Sequence, residues 1–332
     1  MLKNWLKPIE INGIAIPNNL WFAPLAGYSH MALRMTAKKF GAGLAYTEMV
    51  SVEGIVRGDR KTIRMAVPED GRTVLQLFGT PDPARYREAA RIMMDDFGYR
   101  IIDINFGCPV KKVMKVGAGC IMLRDPGLMG EIVAAVKETG AVVSAKIRAG
   151  YSYHNFEETI PIVDKAGADI IILHARLGTQ MFAGHADWDL IRQARALTDK
   201  ILIANGDIDT PERADECMTA TGADGLMIGR AAIGRPYLFA QTIDYCRNGT
   251  YTTPGLDEIK SGMVEFARLF EKHSGAKNLV PIRSALLCAI RGVGNCREIR
   301  GRVSSIGTVA DLENALADWK INEEMHYEAP HR

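Results

Sequence analysis

The 332-residue chain is 47% hydrophobic and 24% charged, an ordinary globular balance with length enough for one barrel-sized domain and an appendage, or for two domains. A formal net charge of +2 excludes a global field drawing the chain onto nucleic acid or membrane, so any anionic partner has to meet a local patch. Six cysteines show neither metal-ligand spacing nor the density of a small secreted scaffold, and no apolar run approaches bilayer length; no metal site, no membrane segment and no protein partner is evident.

Residues 1–11 lack the apolar core of a signal peptide, so the expected compartment is the reducing cytoplasm. Ile9, Ile11, Ile14 and Ile16 alternate around Asn12-Gly13, a strong hairpin signal, with Pro17 closing the second strand. This hairpin is expected to cap one end of the domain that the next two hundred or so residues build. Short apolar runs then recur at 20–24, 44–48, 74–78, 101–105, 142–147, 169–174, 201–204 and 224–228. Most of the gaps carry an amphipathic helical pattern, as at 84–97, 128–138, 156–166, 190–197 and 211–220. Strands alternating with helices in this way predict an α/β fold, a (β/α)8 TIM barrel. The competing arrangement, a doubly wound sheet, lacks its dinucleotide fingerprint: Gly117 and Gly119 follow no strand directly, and Met122 stands where the third glycine is needed.

After Pro236 a helix runs to about Cys246, and residues 248–255 (NGTYTTPG) form a turn-rich linker. From 256 to 319 the pattern is helical with no strand signal. The expected division is a barrel over 1–250 and a small helical domain over 256–332. This last segment gathers Arg268, Lys272, Lys277, Arg283, Arg291, Arg297, Arg300 and Arg302 against Glu271 and Glu298. Such a run is either a solvated helical face or an RNA-facing patch.

The stretch 101–125 (IIDINFGCPVKKVMKVGAGCIMLRD) organises the functional reading. Gly107 permits a sharp turn, and Pro109 keeps Cys108 extended, so the thiol stands at the carboxyl end of a strand, where parallel α/β folds place their chemistry. Cys108 alone also reads as one more small buried hydrophobe. The other strand ends weigh against that, because polar residues recur there: Pro24-Leu25-Ala26-Gly27, Gln76, Asn105, Lys146 and Arg148, His174 and Arg176, Asn205-Gly206-Asp207, and Gly229-Arg230. Singly each has a structural explanation; Gln76 could satisfy a backbone group, His174 could sit in the core and Lys146 could pair with Glu48.

Barrels often bind phosphate after their seventh and eighth strands, where Gly206, Gly229 and Arg230 supply close backbone approach and positive charge. Gln76 offers a donor and an acceptor to the edge of a heterocycle, and Lys146 and His174 can hold negative charge that develops on a ring. A phosphate tail, a hydrogen-bonding ring and a charge sink together describe FMN. The same residues also describe an aldolase in which Lys146 forms a Schiff base to a sugar phosphate, although Cys108 has no part there. A non-catalytic RNA-binding flavoprotein is the third reading.

These motifs resemble those of the bacterial tRNA-dihydrouridine synthases, nearest the B subgroup: APLAG at 23–27, QLFG at 76–79, DINFGCPVKKV at 103–113, KIRAG at 146–150, NGDI at 205–208 and LMIGRAAIGRP at 226–236. The resemblance implies an FMN-containing barrel followed by a helical tRNA-binding domain, reducing the C5=C6 bond of particular uridines with NADPH (or NADH). Carried over by position, it makes Cys108 the proton donor. It places FMN on Pro24, Leu25, Ala26, Gln76, Lys146, His174, Asn205, Gly206, Asp207, Gly229 and Arg230. Asn105, Lys111, Lys112 and Arg176 are then expected to meet the uracil or phosphate oxygens of the substrate. Two departures stand out. Ser29-His30 replaces the family's usual acidic residue after Ser/Thr, and Leu177-Gly178 follows Arg176 where the family usually has Thr-Arg. Both are expected to alter RNA contacts rather than the flavin site.

Overall fold

Asn12 and Gly13 lie at φ +48° and +72°, the left-handed pair that a two-residue hairpin turn needs, and they join β1 (Ile9–Ile11) to antiparallel β2 (Ile14–Ile16). Residues 4–320 are described by the computed structural model. After the hairpin come β3 (Leu20–Phe22), β4 (Ala45–Ser51), β5 (Thr73–Phe78), β6 (Ile101–Phe106), β7 (Val142–Gly150), β8 (Ile170–Leu177), β9 (Ile201–Asn205) and β10 (Gly225–Ile228). All neighbours pair in parallel, and β10 closes on β3, giving the expected TIM barrel.

Three crossover helices begin the same way. Pro83–Phe97, Pro126–Lys137 and Pro211–Thr221 each open with proline, preceded by Asp82, Asp125 or Thr210, whose side chain accepts a first-turn N–H. Proline there forfeits no hydrogen bond, and the cap satisfies a donor the helix leaves free. Two short helices, Val52–Val56 and Arg60–Met65, stand between β4 and β5; neither is long enough to show a period in sequence. β4, β7 and β8 also run past the ends of their apolar cores, carrying polar residues in extended conformation to the mouth.

The barrel interior is sealed at its amino-terminal end. Ile9, Ile11, Ile14 and Ile16 of the hairpin pack with Leu44, Val74, Ile101, Val142 and Ile170 at the strand starts, and with Trp21 and Tyr46 above them. Outside the barrel, helices and strands share a second core. That core continues into the carboxyl-terminal helices Leu256–Ser274, Arg283–Ala289, Cys296–Ser305 and Val309–Ala317. Helix Leu256–Ser274 lies on helix Met31–Lys39, with the His30 ring 5.6 Å from Phe266 and 4.9 Å from Phe270, and Lys39 paired with Glu265 at 2.6 Å. Gly234, at φ +75°, runs so close to the backbone of Cys288 and Ala289 that a Cβ there would collide with it. Residues 321–332 of the expected helical segment lie outside the described residues. Among the described residues no helix is long and apolar enough to cross a membrane.

Candidate active site

β6 ends in a turn that its own side chain caps. Asn105 Oδ1 accepts the N–H groups of Gly107 at 3.0 Å and Cys108 at 2.9 Å. Below the turn, the Cys120 N–H donates to the Cys108 carbonyl at 3.0 Å, and a Cβ on Gly119 would strike that carbonyl. The Cys108 side chain is half-buried at the mouth, whereas Cys120 is fully buried against Met114. Burial pushes the Cys108 thiol above the usual range, against the opposing pull of the Val110 N–H, Arg148 and Lys146; Cys120 is pushed to about 11, again mainly by burial.

Asn105 Nδ2 donates to Gln76 Oε1 at 3.0 Å, Gln76 Nε2 donates to Asp103 Oδ2 at 2.6 Å, and Ser144 Oγ donates to Asp103 Oδ1 at 2.5 Å. Gln76 therefore bonds side chains rather than a stray backbone group. Burial lowers the Lys146 pKa and raises that of Asp103. Lys146 Nζ donates to Asn205 Oδ1 at 2.9 Å, and Asn205 Nδ2 to the Met227 carbonyl at 2.8 Å. The pairing of Lys146 with Glu48 does not form: Glu48 accepts the Gly27 N–H at 2.5 Å, which fixes the loop carrying Pro24, Leu25 and Ala26.

On the opposite wall, His174 Nε2 lies 3.2 Å from Arg176 Nη1. A guanidinium only donates, so Nε2 accepts and the ring proton sits on Nδ1. Burial holds His174 well below its ordinary pKa, and Arg148, Lys146, Arg176 and Arg230 all press the same way. His174 is thus a neutral ring among four cations. Arg176 is 2% exposed and bonded to Asp207 (2.7 and 2.8 Å), Gly184 O (2.7 Å) and Ala183 O (3.2 Å). Its donors brace the loop after β8. Burial would raise the Asp207 carboxyl, but the Ala186 N–H and the Arg176 guanidinium hold it below the carboxylate range.

Gly206, at φ +122°, leaves room that a Cβ would fill against Ala186 at 2.7 Å and His174 at 3.0 Å. Gly229 stands 3.6 Å from the Ala23 Cβ on the same measure and opens the short turn Arg230–Ala232. Arg230 is half-exposed beside this bare backbone, 3.7 Å from Asp207. The donor set fits FMN: the half-exposed Arg230 and accessible backbone at β9 and β10, the Gln76 amide and Lys146 ammonium deeper in, and Leu25 within reach of Gly229 to cover an apolar ring. Lys111 and Lys112 are exposed on helix Lys111–Met114, directly after the Cys108 turn.

A family profile described as dihydrouridine synthase (Dus) matches residues 21–324, nearly the whole barrel and the helices after it. The chain belongs to the dihydrouridine synthase family. A probable tRNA-dihydrouridine synthase of Rickettsia bellii is 33% identical over 319 residues, covering 94% of this chain and 97% of the relative. The tRNA-dihydrouridine synthase B of Pseudomonas aeruginosa is 35% identical over 267 residues, 78% of this chain and 80% of the relative. Among solved structures, histamine dehydrogenase from Rhizobium superposes with a TM-score of 0.57 at 13% identity, covering 79% of this chain and 50% of that one. An old yellow enzyme homologue of Zymomonas mobilis gives 0.51 at 13%, covering 78% and 96%. At that identity these likenesses concern the fold alone.

Within the family's pattern, the two departures have structural reasons here. His30 is a docking residue between barrel and helices, its ring nitrogens buried and its pKa lowered to about 4 by burial and by Arg34. Gly178 packs so tightly on the Cys120 Sγ and the Tyr151 ring that a Cβ would lie 2.8 and 3.0 Å from them. Arg148 shows in the sequence as a strand-end cation without a role. It is 1% exposed and donates to the carbonyls of Gly107 (2.7 Å), Leu177 (2.8 Å) and Met181 (2.7 Å), tying the Cys108 turn to the loop after β8. All three partners are main-chain oxygens, for which a sequence carries no sign.

Proposed function

We propose that this chain reduces particular uridines of tRNA to 5,6-dihydrouridine, with FMN held at the barrel mouth, NADPH or NADH as reductant and Cys108 as the proton donor. The observation that carries the reading is the Cys108 thiol standing at the rim of a buried cationic cluster, in a chain of the dihydrouridine synthase family. FMN, held by Gln76, Lys146 and the loops after β9 and β10, would supply the hydride that C6 of the uracil receives. The protein's part is to bind, orient and protonate. Lys146 and the cations around His174 would hold negative charge that develops on a bound ring, in a site where low exposure strengthens each interaction. Cys108 gives its proton to C5 and completes the reduction. A thiol raised by burial is the protonated form at neutral pH, which is the form this step requires.

The target base has to leave its stack to enter the mouth, at a cost of a few kcal/mol. Phosphate contacts elsewhere offset it, and the segment 256–332 is proposed as the tRNA-binding domain of a chain whose barrel spans 1–250. Arg291, Arg297 and Arg300 are exposed there and make no ion pair among the described residues. Others in the cluster are engaged: Arg268 with Glu313 at 2.6 Å, and Arg283 with the carbonyls of Ser305 and Ile306. The lowered pKa of Lys146 and the phosphate-binding loops are features an aldolase would share, whereas the Cys108 turn is not. Purified protein is expected to be yellow with FMN, and tRNA from cells lacking it to lose dihydrouridine at defined positions by mass mapping. Colourless protein trapped by borohydride through Lys146 would move the assignment to the aldolase. Unchanged tRNA would leave a non-catalytic flavoprotein.

A further inference from the structure

The Cys108 turn is held by more than its local sequence. Asn105 Oδ1 accepts its two N–H groups, Asn105 Nδ2 donates to Gln76 Oε1, and Gln76 Nε2 donates to Asp103 Oδ2. All three side chains are buried, with Asp103 fully enclosed. A side-chain amide has a donor end and an acceptor end and, taken alone, turns either way. A carboxylate oxygen does not offer that choice.

Because Asp103 Oδ2 accepts, Gln76 must present Nε2 to it and Oε1 to Asn105. Asn105 must then present Nδ2 to Gln76, which leaves Oδ1 for the N–H groups of Gly107 and Cys108. In the reverse sense, Asn105 Nδ2 would face two N–H donors, and the turn would lose both hydrogen bonds. The other Asp103 oxygen meets Ser144 Oγ at 2.5 Å, a hydroxyl that both donates and accepts. The Gly107 and Cys108 N–H groups hold Asn105 Oδ1, and so present Gln76 Nε2 to Asp103 Oδ2; a proton gained by Asp103 is therefore accommodated on Oδ1, where Ser144 Oγ can accept it.

We propose that Asp103 is a positioning residue for the proton transfer from Cys108: as the acceptor that closes this chain it holds Gln76 and Asn105 in the one sense the turn N–H groups accept, and through them the turn that presents the thiol. The same constraint fixes which end of the Gln76 amide faces a bound ring. The role of Cys108 rests on the function proposed above, whereas the polarity of the chain does not.

The test uses full-length flavin-bound protein and two readouts. One is the rate at which iodoacetamide labels Cys108, located by peptide mass with buried Cys120 as internal reference. The other is dihydrouridine formation against tRNA concentration. Asp103→Leu removes the acceptor at similar volume; turnover at saturating tRNA is expected to fall roughly tenfold with KM within about twofold, and Cys108 labelling to change about threefold or more. Asp103→Asn is expected to stay near wild type, because the Gly107 and Cys108 N–H groups keep Asn105, and through it Gln76 Nε2, in the native sense, so the amide at 103 turns its oxygen to Gln76 and its NH2 group to Ser144 Oγ.

An isosteric cycle serves if the leucine variant does not fold. Asn105→Asp alone sets two acceptor-only groups on either side of Gln76 and should disturb Cys108 labelling. The double variant Asp103→Asn/Asn105→Asp restores a consistent chain, with the amide at 103 donating to Gln76 Oε1 and Gln76 Nε2 donating to the carboxylate at 105. Labelling restored in the double variant supports the proposal. Wild-type behaviour of Asp103→Leu, equal impairment of Asp103→Leu and Asp103→Asn, or a double variant no better than Asn105→Asp overturns it. Should wild-type protein form no dihydrouridine, the proposed function fails while the labelling comparison still decides the polarity chain.

Discussion

The two ends of this barrel are built from the same eight strands and do opposite things. At the amino-terminal end, isoleucines of the hairpin meet the strand starts in an apolar plug. At the carboxyl end, Lys146, Arg148, Arg176 and Arg230 crowd a neutral histidine, and strand after strand carries a polar side chain into the mouth. Burial stabilises the first arrangement and penalises the second. The mouth persists because its charges are tied into hydrogen-bonded chains that the plug, by holding the strand starts, keeps in register.

The comparison breaks most visibly at Cys108. Cys108→Ala is expected to keep FMN, its reduction by NADPH and its melting temperature, while dihydrouridine formation drops roughly 100- to 10,000-fold. Because the acid form is active, wild-type rate should fall as pH rises through the thiol pKa, which burial has moved upward, and the alanine variant should lack that alkaline limb. If Cys120→Ala is instead the inactive variant, the proton donor has been misassigned.

At the other end, Ile16→Ala should behave in the opposite sense. Its side chain is 1% exposed in the plug, so the loss of packing should cost about 2–4 kcal/mol in denaturant unfolding, with turnover per folded molecule unchanged. A large fall in turnover without loss of stability would mean that the floor takes part in the chemistry.

The smallest effect is expected on the helical segment. Pairwise alanine substitution of Arg291, Arg297 and Arg300 should weaken tRNA binding modestly and lower its logarithmic salt slope by about one per lost phosphate contact. Arg283→Ala, by contrast, should lower thermal stability and leave the slope as it was, since its guanidinium caps the end of helix Cys296–Ser305.

Period and turn chemistry made most of this legible in the sequence. Apolar runs marked the barrel strands, Asn12-Gly13 marked the hairpin, and strand-end polarity brought Gln76, Lys146, His174 and Asn205 to one face. What stayed hidden has a common cause: the partner lies far along the chain or in the backbone. Arg148 looks like any strand-end cation until its carbonyl partners are seen. Arg268 and Arg302 belong to a basic run whose acidic partners, Glu313 and Asp318, lie further along the chain. His30 read as a lost acidic contact, whereas its neighbours Phe266 and Phe270 come from more than two hundred residues away.

A barrel stoppered at one end has a single doorway. Under the proposed function, whatever delivers electrons to the flavin and whatever receives them would use the same opening. With the packed interior and the hairpin leaving one face, the function proposed above would have donor and acceptor take turns at the same mouth, the electrons held on the flavin between visits.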